Sequence, residues 1–122
     1  METTTGLILF GHGARDPRWR EPFDRLAADV AESHPGPVSV AFLDMMSPDL
    51  QAACLGAVER GAGRIVVVPL FLGTGGHVRR DLPALLESAS EVAGVPVTAA
   101  DAVGEDSQVL AALANYCLRC VN

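Results

Sequence analysis

The sequence predicts an α/β domain of three layers, with helices on both faces of a four-stranded parallel sheet. Four short segments are rich in Val, Ile and Leu, and span residues 5–10, 38–43, 64–72 and 95–99. Their apolar residues are nearly continuous, as in parallel strands covered on both faces. Apolar residues in the intervening stretches recur at the 3.6-residue spacing of amphipathic helices. Strands and helices therefore alternate along the chain.

The predicted helices cover residues 19–30, 50–58, 82–93 and 109–117. Ser47–Pro48 predicts the start of the second helix, because a capping hydroxyl precedes a proline at the first helical position, and Gly61 marks its end. Asp81 and Asp106 are candidate N-caps of the third and fourth helices. Two prolines make the start of the first helix less definite, and we place it near Arg18.

Right-handed connections between four parallel strands favour the order 2-1-3-4. In that order the first and third strands are neighbours, and the chain winds away from them in opposite directions. Open α/β sheets bind ligands at such a switch point, outside the carboxyl ends of the strands. The residues that follow these two strands are therefore the first candidates for a functional site.

Composition limits the classes of function. The chain has 122 residues, 49% of them hydrophobic and 20% charged, which predicts one folded domain over residues 1–122. Fifteen acidic residues against nine basic ones give a net charge of −6, and all nine basic residues are Arg. A general nucleic-acid surface is disfavoured by this charge. The lack of Lys excludes a Schiff-base lysine and a P-loop lysine.

The sequence gives no sign of a membrane segment. Its longest apolar run, residues 65–72, is far shorter than the roughly 20 residues of a spanning helix. The N-terminal stretch lacks the basic leader of a secretory signal, and three cysteines are too few for a disulfide framework. We therefore expect a cytoplasmic protein that does not bind membranes.

Two of the three histidines follow the two central strands. His12 stands in Gly11–Gly13, and His77 ends the segment 73–77, in which Gly75 and Gly76 precede it. Adjacent strands lie about 4.8 Å apart, so two imidazoles could share one transition-metal ion. The alternative is that each histidine is an ordinary hydrogen-bonding loop residue. His34 is expected at a helix C-terminus, away from this site.

Acidic and apolar residues follow the second strand. Asp44 is expected beside the His12 loop, where it could bind metal or accept protons, or could simply be a turn aspartate. Met45 and Met46 are predicted to line the crevice rather than to bind metal.

Arginines lie close to both histidines. Arg79 and Arg80 are expected near a helix N-terminus, where guanidinium and backbone N–H groups could bind an anionic ligand. Their alternative is solvent-exposed pairing with Asp81 and Glu87. Arg15 could also contact a ligand, or could form an ion pair with Asp16.

Two other motifs resemble known binding sites only in part. The glycines near His12 suggest a dinucleotide site, but Asp16 occupies the position of the third glycine and would repel a pyrophosphate. Cys117-x-x-Cys120 supplies only half of a four-cysteine metal site, so packing of the last helix is the favoured interpretation. Cys54 is predicted to be buried.

Three segments together carry a family resemblance: LILFGHGARDP at 7–17, AFLDMMSPDL at 41–50 and GAGRIVVVPLFLGTGGHVRRDLP at 61–83. In this order and spacing the chain resembles the small CbiX-type sirohydrochlorin chelatases of the class II chelatase group, over residues 5–105. The resemblance implies a chelatase-like α/β domain, pairing as a homodimer that completes a two-lobed cleft, and insertion of Co²⁺, Fe²⁺ or Ni²⁺ into sirohydrochlorin. It implies no cofactor beyond the substrate metal.

The resemblance also assigns roles to residues. The family's metal-binding histidines fall on His12 and His77, and its acidic residue falls on Asp44, which is shorter than the usual Glu. A second frequent acid is replaced by Met46–Ser47, so a tetrapyrrole or metal carrier without turnover is the competing interpretation.

The substrate that the resemblance implies has eight carboxylates, although the chain is acidic overall. Its binding therefore requires a local concentration of Arg, for which Arg15, Arg79 and Arg80 are the candidates. Gly75 and Gly76 would allow the backbone to approach the substrate closely.

Overall fold

The computed structural model describes residues 3–73 and 75–122, with the backbone but not the side chain of His77. Its helices and strands alternate as the sequence predicts. The elements are β1 Thr5–Gly11, α1 Glu21–Ser33, β2 Val38–Phe42, α2 Leu50–Glu59, β3 Arg64–Pro69, α3 Gly76–Ala93, β4 Val97–Ala99 and α4 Ser107–Arg119. Short 3-10 helices at Pro17–Arg20 and Val103–Glu105 precede α1 and α4.

The four strands form one parallel sheet in the order β2-β1-β3-β4, which confirms the predicted topology. β1 pairs with both β2 and β3, so that Gly11 lies opposite Phe42 and Phe10 lies opposite Pro69. Beyond the paired residues, the backbone N–H of Leu70 donates to the carbonyl oxygen of Phe10 at 2.8 Å. The first and third strands therefore end side by side, as a switch point requires.

The two faces of the sheet are covered to different extents. On one face, the larger core packs β1 and β3 against α2 and α3, and includes Ile8, Phe10, Ile65 and Val67. On the other face, a smaller cluster of Leu9, Val40 and Phe42 packs against Phe23 and Ala27 of α1. The predicted three layers are present, and the larger core lies under the carboxyl ends of the central strands.

The predicted N-cap of α2 is wrong. Ser47–Pro48 is a cis peptide ahead of the helix, and Asp49 is the N-cap, its carboxylate accepting the N–H of Ala52 at 2.8 Å. Asp is as effective a cap as Ser, and this one stands directly before the first buried helical residue, Leu50. Gly61 follows the helix at a φ of 102°, as predicted.

The predicted start of α3 is also wrong. The helix begins at Gly76 rather than after Asp81, because Arg79 N–H already donates to the carbonyl oxygen of Gly75 at 3.1 Å. Gly75 is an N-cap without a capping side chain, so no polar residue marks the boundary in the sequence. The predicted cap of α4 is confirmed, since the Asp106 carboxylate accepts the N–H of Val109 at 3.0 Å.

Smaller differences concern other ends of elements. β3 stops at Pro69 rather than residue 72, and β4 begins at Val97 rather than residue 95. Among the described residues, the structure contains no helix with both the length and the apolar character needed to span a membrane.

Candidate active site

The His12 loop, residues 12–16, leaves the carboxyl end of β1 and is held by the chain that leaves β2. Leu43 N–H donates to the carbonyl oxygen of Gly11 at 2.9 Å, and Asp44 N–H donates to that of His12 at 3.0 Å. These bonds continue the β1–β2 pairing past the last residues of the strands. The backbone of His12 is therefore fixed as firmly as a strand residue.

Gly13 is required by this arrangement. Its φ is 93°, in a region that residues with a Cβ rarely adopt, and an added Cβ would collide with the carbonyl oxygen of Asp44. The glycine thus allows the two loops to pack directly against each other and brings Asp44 beside the His12 loop, as predicted.

The imidazole of His12 lies against the ring of Phe71, with 4.3 Å between ring centroids and an interplanar angle of 38°. Phe71 is buried and also packs on Phe10, at 6.0 Å. The imidazole of His12 is exposed and forms no hydrogen bond with the residues that the structure describes. Its ring is therefore directed towards β3, with its nitrogens available to a ligand.

The sequence interpretation missed Phe71, because it assigned the whole apolar run to the third strand. The strand ends at Pro69, which places Phe71 in the turn beside the switch point. An aromatic residue just before a glycine-rich stretch was the signal that could have identified it.

The β3–α3 segment, residues 70–75, and the first turn of α3 form the other side of the site. An added Cβ on Gly73, Gly75 or Gly76 would meet open space. The sequence placed His77 in a loop, whereas its backbone lies in the first turn of α3. Its side chain lies outside the described part of the structure, so the convergence of His12 and His77 stays a prediction.

Asp44 occupies a tight turn. Its Oδ1 accepts the N–H of Met45 at 2.8 Å, and Met45 has a positive φ of 65°. Asp44 is therefore a turn aspartate, as one of the two predicted alternatives had it, and its carboxylate is exposed beside the His12 loop. Met46 packs against the smaller core cluster, whereas Met45 is exposed.

The arginines differ in their contacts. A guanidinium nitrogen of Arg79 lies 3.6 Å from a carboxylate oxygen of Glu105, in an exposed pair that the sequence did not predict. Arg80, like Arg15, is exposed. Asp16 pairs with Arg18 at 2.7 Å rather than with Arg15, and it caps the 3-10 helix. The hydrogen bond with the Arg18 side chain lowers the pKa of Asp16.

Residues outside the site were only partly predicted. His34 follows the last residue of α1 and lies at the amino-terminal end of β1, with Nε2 2.7 Å from the carbonyl oxygen of Thr5. Cys54 is buried as predicted, and burial raises the pKa of its thiol to about 11. The prediction that Cys117 and Cys120 pack against the rest of the chain is wrong, since both are exposed.

Within the described residues, no group of three or more His, Cys, Asp or Glu side chains is arranged to hold a metal ion.

The doubly wound parallel sheet places this chain among the open α/β domains, a class that binds ligands at the switch point. Comparison with known proteins identifies the family. The family model described as CbiX matches residues 6–119, and the chain belongs to the CbiX family.

Several relatives share substantial sequence. The chain is 42% identical over 81 residues to a protein of Methanocaldococcus jannaschii named sirohydrochlorin cobaltochelatase, covering 66% of this chain and 57% of that relative. It is 33% identical over 105 residues to one of the same name from Sulfolobus acidocaldarius, covering 86% and 83%. The match thus spans little more than half of the first relative and most of the second.

Solved structures agree on the fold. The chain superimposes on a putative cobalamin biosynthesis CbiX protein from Marinobacter aquaeolei with a TM-score of 0.85 and 31% identity, covering 96% and 97% of the two chains. It also resembles the sirohydrochlorin chelatase SirB from Bacillus subtilis subspecies spizizenii in complex with cobalt, at a TM-score of 0.77 and 23% identity, covering 93% of this chain and 49% of that one.

Proposed function

We propose that this chain inserts a divalent metal ion, Co²⁺, Fe²⁺ or Ni²⁺, into sirohydrochlorin. The observation that carries the proposal is the exposed His12 imidazole, held against Phe71 at the switch point of the sheet. The chain is also 42% identical over 81 residues and 33% identical over 105 residues to two relatives named sirohydrochlorin cobaltochelatase. Metal and tetrapyrrole are both substrates in this reaction, and no further cofactor is proposed.

His12 and His77 bind the metal ion before its transfer. The His12 ring lies on the β3 side of its loop, and the backbone of His77 begins the helix that follows β3. Both observations support convergence of the two imidazoles. Only neutral imidazole donates a lone pair to a metal, so protons compete with metal binding and insertion falls at acidic pH. Two ligands leave most metal positions open to the incoming pyrrole nitrogens.

Two pyrrole N–H protons leave the macrocycle as the metal enters, one for each positive charge delivered. Asp44 is the proposed acceptor, passing these protons to solvent. Its backbone is hydrogen-bonded to that of His12, and its carboxylate is exposed. One carboxylate oxygen accepts the Met45 N–H, which leaves the other oxygen for this role. An ionised carboxylate near the leaving proton is the kind of proton acceptor that general base catalysis requires.

The substrate carboxylates are bound by Arg15, Arg79 and Arg80 together with the first backbone N–H groups of α3, near Gly75 and Gly76. A helix N-terminus without a capping side chain, as here, has N–H groups available to an anion. The exposed Arg79–Glu105 pair contributes at most about 1 kcal/mol. A substrate carboxylate can therefore replace Glu105.

A homodimer completes the site. A cavity of 230 Å³ lies near Leu43 and Asp49, and one of 240 Å³ lies beside Arg79. Each is smaller than the roughly 300–1,000 Å³ of typical small-molecule sites. Neither cavity could enclose a tetrapyrrole, so a second copy supplies the opposite wall of the cleft.

The test measures insertion of Co²⁺ into sirohydrochlorin by absorbance, with excess substrate and with the uncatalysed reaction as reference. We expect turnover by the native chain and a loss of at least ~100-fold for His12→Ala and for His77→Ala. His34→Gln is the matched control, because this histidine lies at the opposite edge of the sheet.

Three results would count against the proposal. Stoichiometric binding of sirohydrochlorin without turnover would indicate the carrier instead. Equal rates for native protein, His12→Ala and His77→Ala would remove the metal role of both histidines. An equal loss in His34→Gln would show that the assay reports on folding rather than on the site.

A further inference from the structure

Two exposed apolar side chains border the His12 loop. Met45 is 57% exposed and Leu72 is 66% exposed. Among the described residues before α4, no other large hydrophobic side chain is as exposed as these two. Those of similar exposure lie on α4 or directly after it, and α4 buries no residue and contacts mainly the 3-10 helix before it. One exposed apolar side chain is ordinary, but two beside the same loop at a ligand-binding edge require an explanation.

The two residues lie on opposite sides of His12. The N–H of Asp44 donates to the carbonyl oxygen of His12 at 3.0 Å, which places Met45 on the β2 side. The ring of Phe71 lies against the imidazole, which places Leu72 on the β3 side. Because β2 and β3 are the two neighbours of β1, they are roughly 10 Å apart. His12 therefore lies between two exposed apolar residues.

Met45 is exposed in a strained conformation. Its φ is 65°, and the N–H of Met46 donates to the carbonyl oxygen of Asp44 at 2.8 Å. A positive φ at the centre of a three-residue hydrogen-bonded turn is characteristic of the rarer, strained kind of γ-turn. Glycine or asparagine would adopt this φ more easily. Burial does not offset the strain, because the Met45 side chain is mostly exposed, and residues strained in this way cluster at sites that bind ligands.

The turn that carries Met45 is held at several points. The N–H of Phe42 donates to the carbonyl oxygen of Pro48 at 2.9 Å, which joins the two ends of the turn. A guanidinium nitrogen of Arg20 donates to the carbonyl oxygen of Ser47 at 2.9 Å, and the same guanidinium lies over the Phe42 ring at 5.1 Å. The backbone of Met45 is therefore fixed, although its side chain is exposed.

Leu72 is held in a similar way. The N–H of Gly104 donates to the carbonyl oxygen of Phe71 at 3.0 Å, and an added Cβ on Gly104 would collide with the carbonyl group of Leu72. The adjacent ring of Phe71 is buried. Both exposed side chains thus extend from fixed backbones, which lowers the entropy that contact with a ligand would cost.

The charges around these two residues indicate the kind of ligand that contacts them. Arg15, Arg79 and Arg80 are exposed in the His12 loop and in the first turn of α3. The apolar centre therefore has a cationic rim. A matching ligand is flat and apolar in its middle and carries carboxylates at its periphery, as sirohydrochlorin does. The thioether of Met45 also suits the face of a conjugated ring, because sulfur makes favourable contacts with π-systems.

We propose that Met45 and Leu72 contact the face of the tetrapyrrole macrocycle and centre it over His12. The inference rests on the proposed function for the identity of the ligand. The arginines bind the carboxylates at the edge of the macrocycle, and the two apolar side chains exclude water from its face. Both residues determine specificity, because a smaller polycarboxylate satisfies the arginines but does not reach both apolar side chains.

The first experiment measures the affinity of the full chain for metal-free sirohydrochlorin by the fluorescence of the tetrapyrrole. We expect Met45→Gln and Leu72→Gln each to weaken binding by roughly 3–10-fold, as for the loss of about half of a buried apolar side chain. Met45→Leu should retain the native affinity, because it keeps an apolar side chain. Leu55→Gln is the matched control, since Leu55 is 41% exposed in the middle of α2.

The second experiment repeats the titrations at low and high salt. Salt screens charges, so the loss of an apolar contact persists at high ionic strength. The losses in Met45→Gln and Leu72→Gln should therefore be similar under both conditions, which a disturbed contact of the arginines would not produce. Denaturant unfolding checks that both variants fold, and their stability should match that of the native chain because both side chains are exposed.

Several outcomes would overturn the inference. Unchanged affinity in both Gln variants would do so, as would an equal loss in Leu55→Gln or in Met45→Leu, or a loss confined to low salt. Light scattering follows the mass of each variant. If the loss of affinity accompanies dissociation into smaller species, the two residues belong to a contact between copies of the chain instead.

Metal insertion is measured separately, so the two proposals fail in different ways. Native binding that depends on Met45 and Leu72 but leads to no insertion would remove the proposed reaction and retain this inference. Insertion by a native chain whose Gln variants bind equally well would retain the reaction and remove this inference alone. A native chain that does not bind sirohydrochlorin would remove both.

Discussion

The two segments that border the candidate site are built in different ways. The His12 loop is held by backbone hydrogen bonds from Leu43 and Asp44, and it packs so closely that Gly13 has no space for a side chain. The β3–α3 segment has glycines with open space around them, at Gly73 and Gly75. One side of the site is therefore fixed by the chain, and the other leaves room for a ligand.

This difference agrees with separate roles for the two segments, metal binding on the fixed side and substrate binding on the open side. If His12 binds the metal as proposed, its position on the fixed side reduces the entropy lost on binding. Small residues on the open side let a broad, anionic substrate approach the backbone and the start of α3. The following predictions test that division, from the largest expected effect to the smallest.

Phe71→Ala should have the largest effect, because this buried ring supports the His12 imidazole from the open side. We expect the free energy of unfolding to fall by roughly 3–5 kcal/mol, as for other buried aromatic truncations. Denaturant unfolding measures the change. Leu72→Ala is the control, since its side chain is 66% exposed and its loss should change stability by no more than about 0.5 kcal/mol. Similar losses in both variants would contradict this role of Phe71.

Gly13→Ala and Gly75→Ala compare the two segments directly. Alanine at position 13 is strained at a φ of 93° and collides with Asp44, so we expect a loss of roughly 1–3 kcal/mol. Gly75 has a φ of −65° and a ψ of 158°, which alanine adopts readily. Alanine restricts the unfolded chain but is a poorer N-cap than glycine, so its replacement should change stability by less than about 1 kcal/mol in either direction.

The Gly75→Ala variant also separates an effect on substrate binding from an effect on stability. Gly75→Ala should weaken sirohydrochlorin binding although the fold is intact, because its methyl group occupies space that the substrate needs. Unchanged affinity in a titration followed by absorbance would show that the open side does not contact the substrate.

Arg79→Ala with Arg80→Ala should lower sirohydrochlorin affinity by up to roughly tenfold at low salt and reduce its salt dependence. Titrations at two ionic strengths measure both effects. The control is Arg60→Ala with Arg64→Ala, which removes the same charge near the amino end of β3. If both double variants lose affinity equally, the effect comes from net charge rather than from the open side of the site.

The smallest effect concerns the core beneath both segments. The thiol of Cys54 has its pKa raised from 9.0 to about 11 by burial. The unfolded chain therefore loses this proton before the folded chain does. This contribution to stability is complete below pH 9 and is lost as the pH rises from 9 to 11.

Denaturant unfolding at pH 8 and pH 10.5 measures this change, with Cys54→Ala as the reference that lacks the thiol. The native chain should lose more stability than the variant over this interval. Equal losses of stability in the native chain and in Cys54→Ala would show that the buried thiol contributes nothing to the pH dependence.

Much of the fold could be predicted because the apolar residues of each strand and helix have the spacing typical of that kind of element. Continuous apolar strands and amphipathic helices indicated the parallel sheet, and the right-handed connection rule then selected the order 2-1-3-4. The start of a helix was less predictable where two nearby residues could both act as its N-cap, as Ser47 and Asp49 could for α2. It was also less predictable where the N-cap has no capping side chain, as at Gly75 in α3. Residence in the cytoplasm and a single domain over residues 1–122 stay predictions.

The placement of His12 and Asp44 at neighbouring strand ends could be predicted, but the contacts around them could not. The sequence placed His12 and Asp44 at neighbouring strand ends, and the structure confirms that their backbones are hydrogen-bonded. It did not indicate that Phe71 supports the imidazole or that Glu105 pairs with Arg79. Those contacts join residues far apart in the chain, and no local pattern encodes the distance between them.

The sequence by itself determined the order of elements, the sheet topology and the loop in which His12 lies, because these depend on local hydrophobic spacing and on chain chirality. Only the tertiary structure decided which ring supports His12, that Gly13 has to be glycine, and that α4 leaves its own sheet. These features depend on distances and free space between segments that are far apart along the chain, which a linear pattern does not contain.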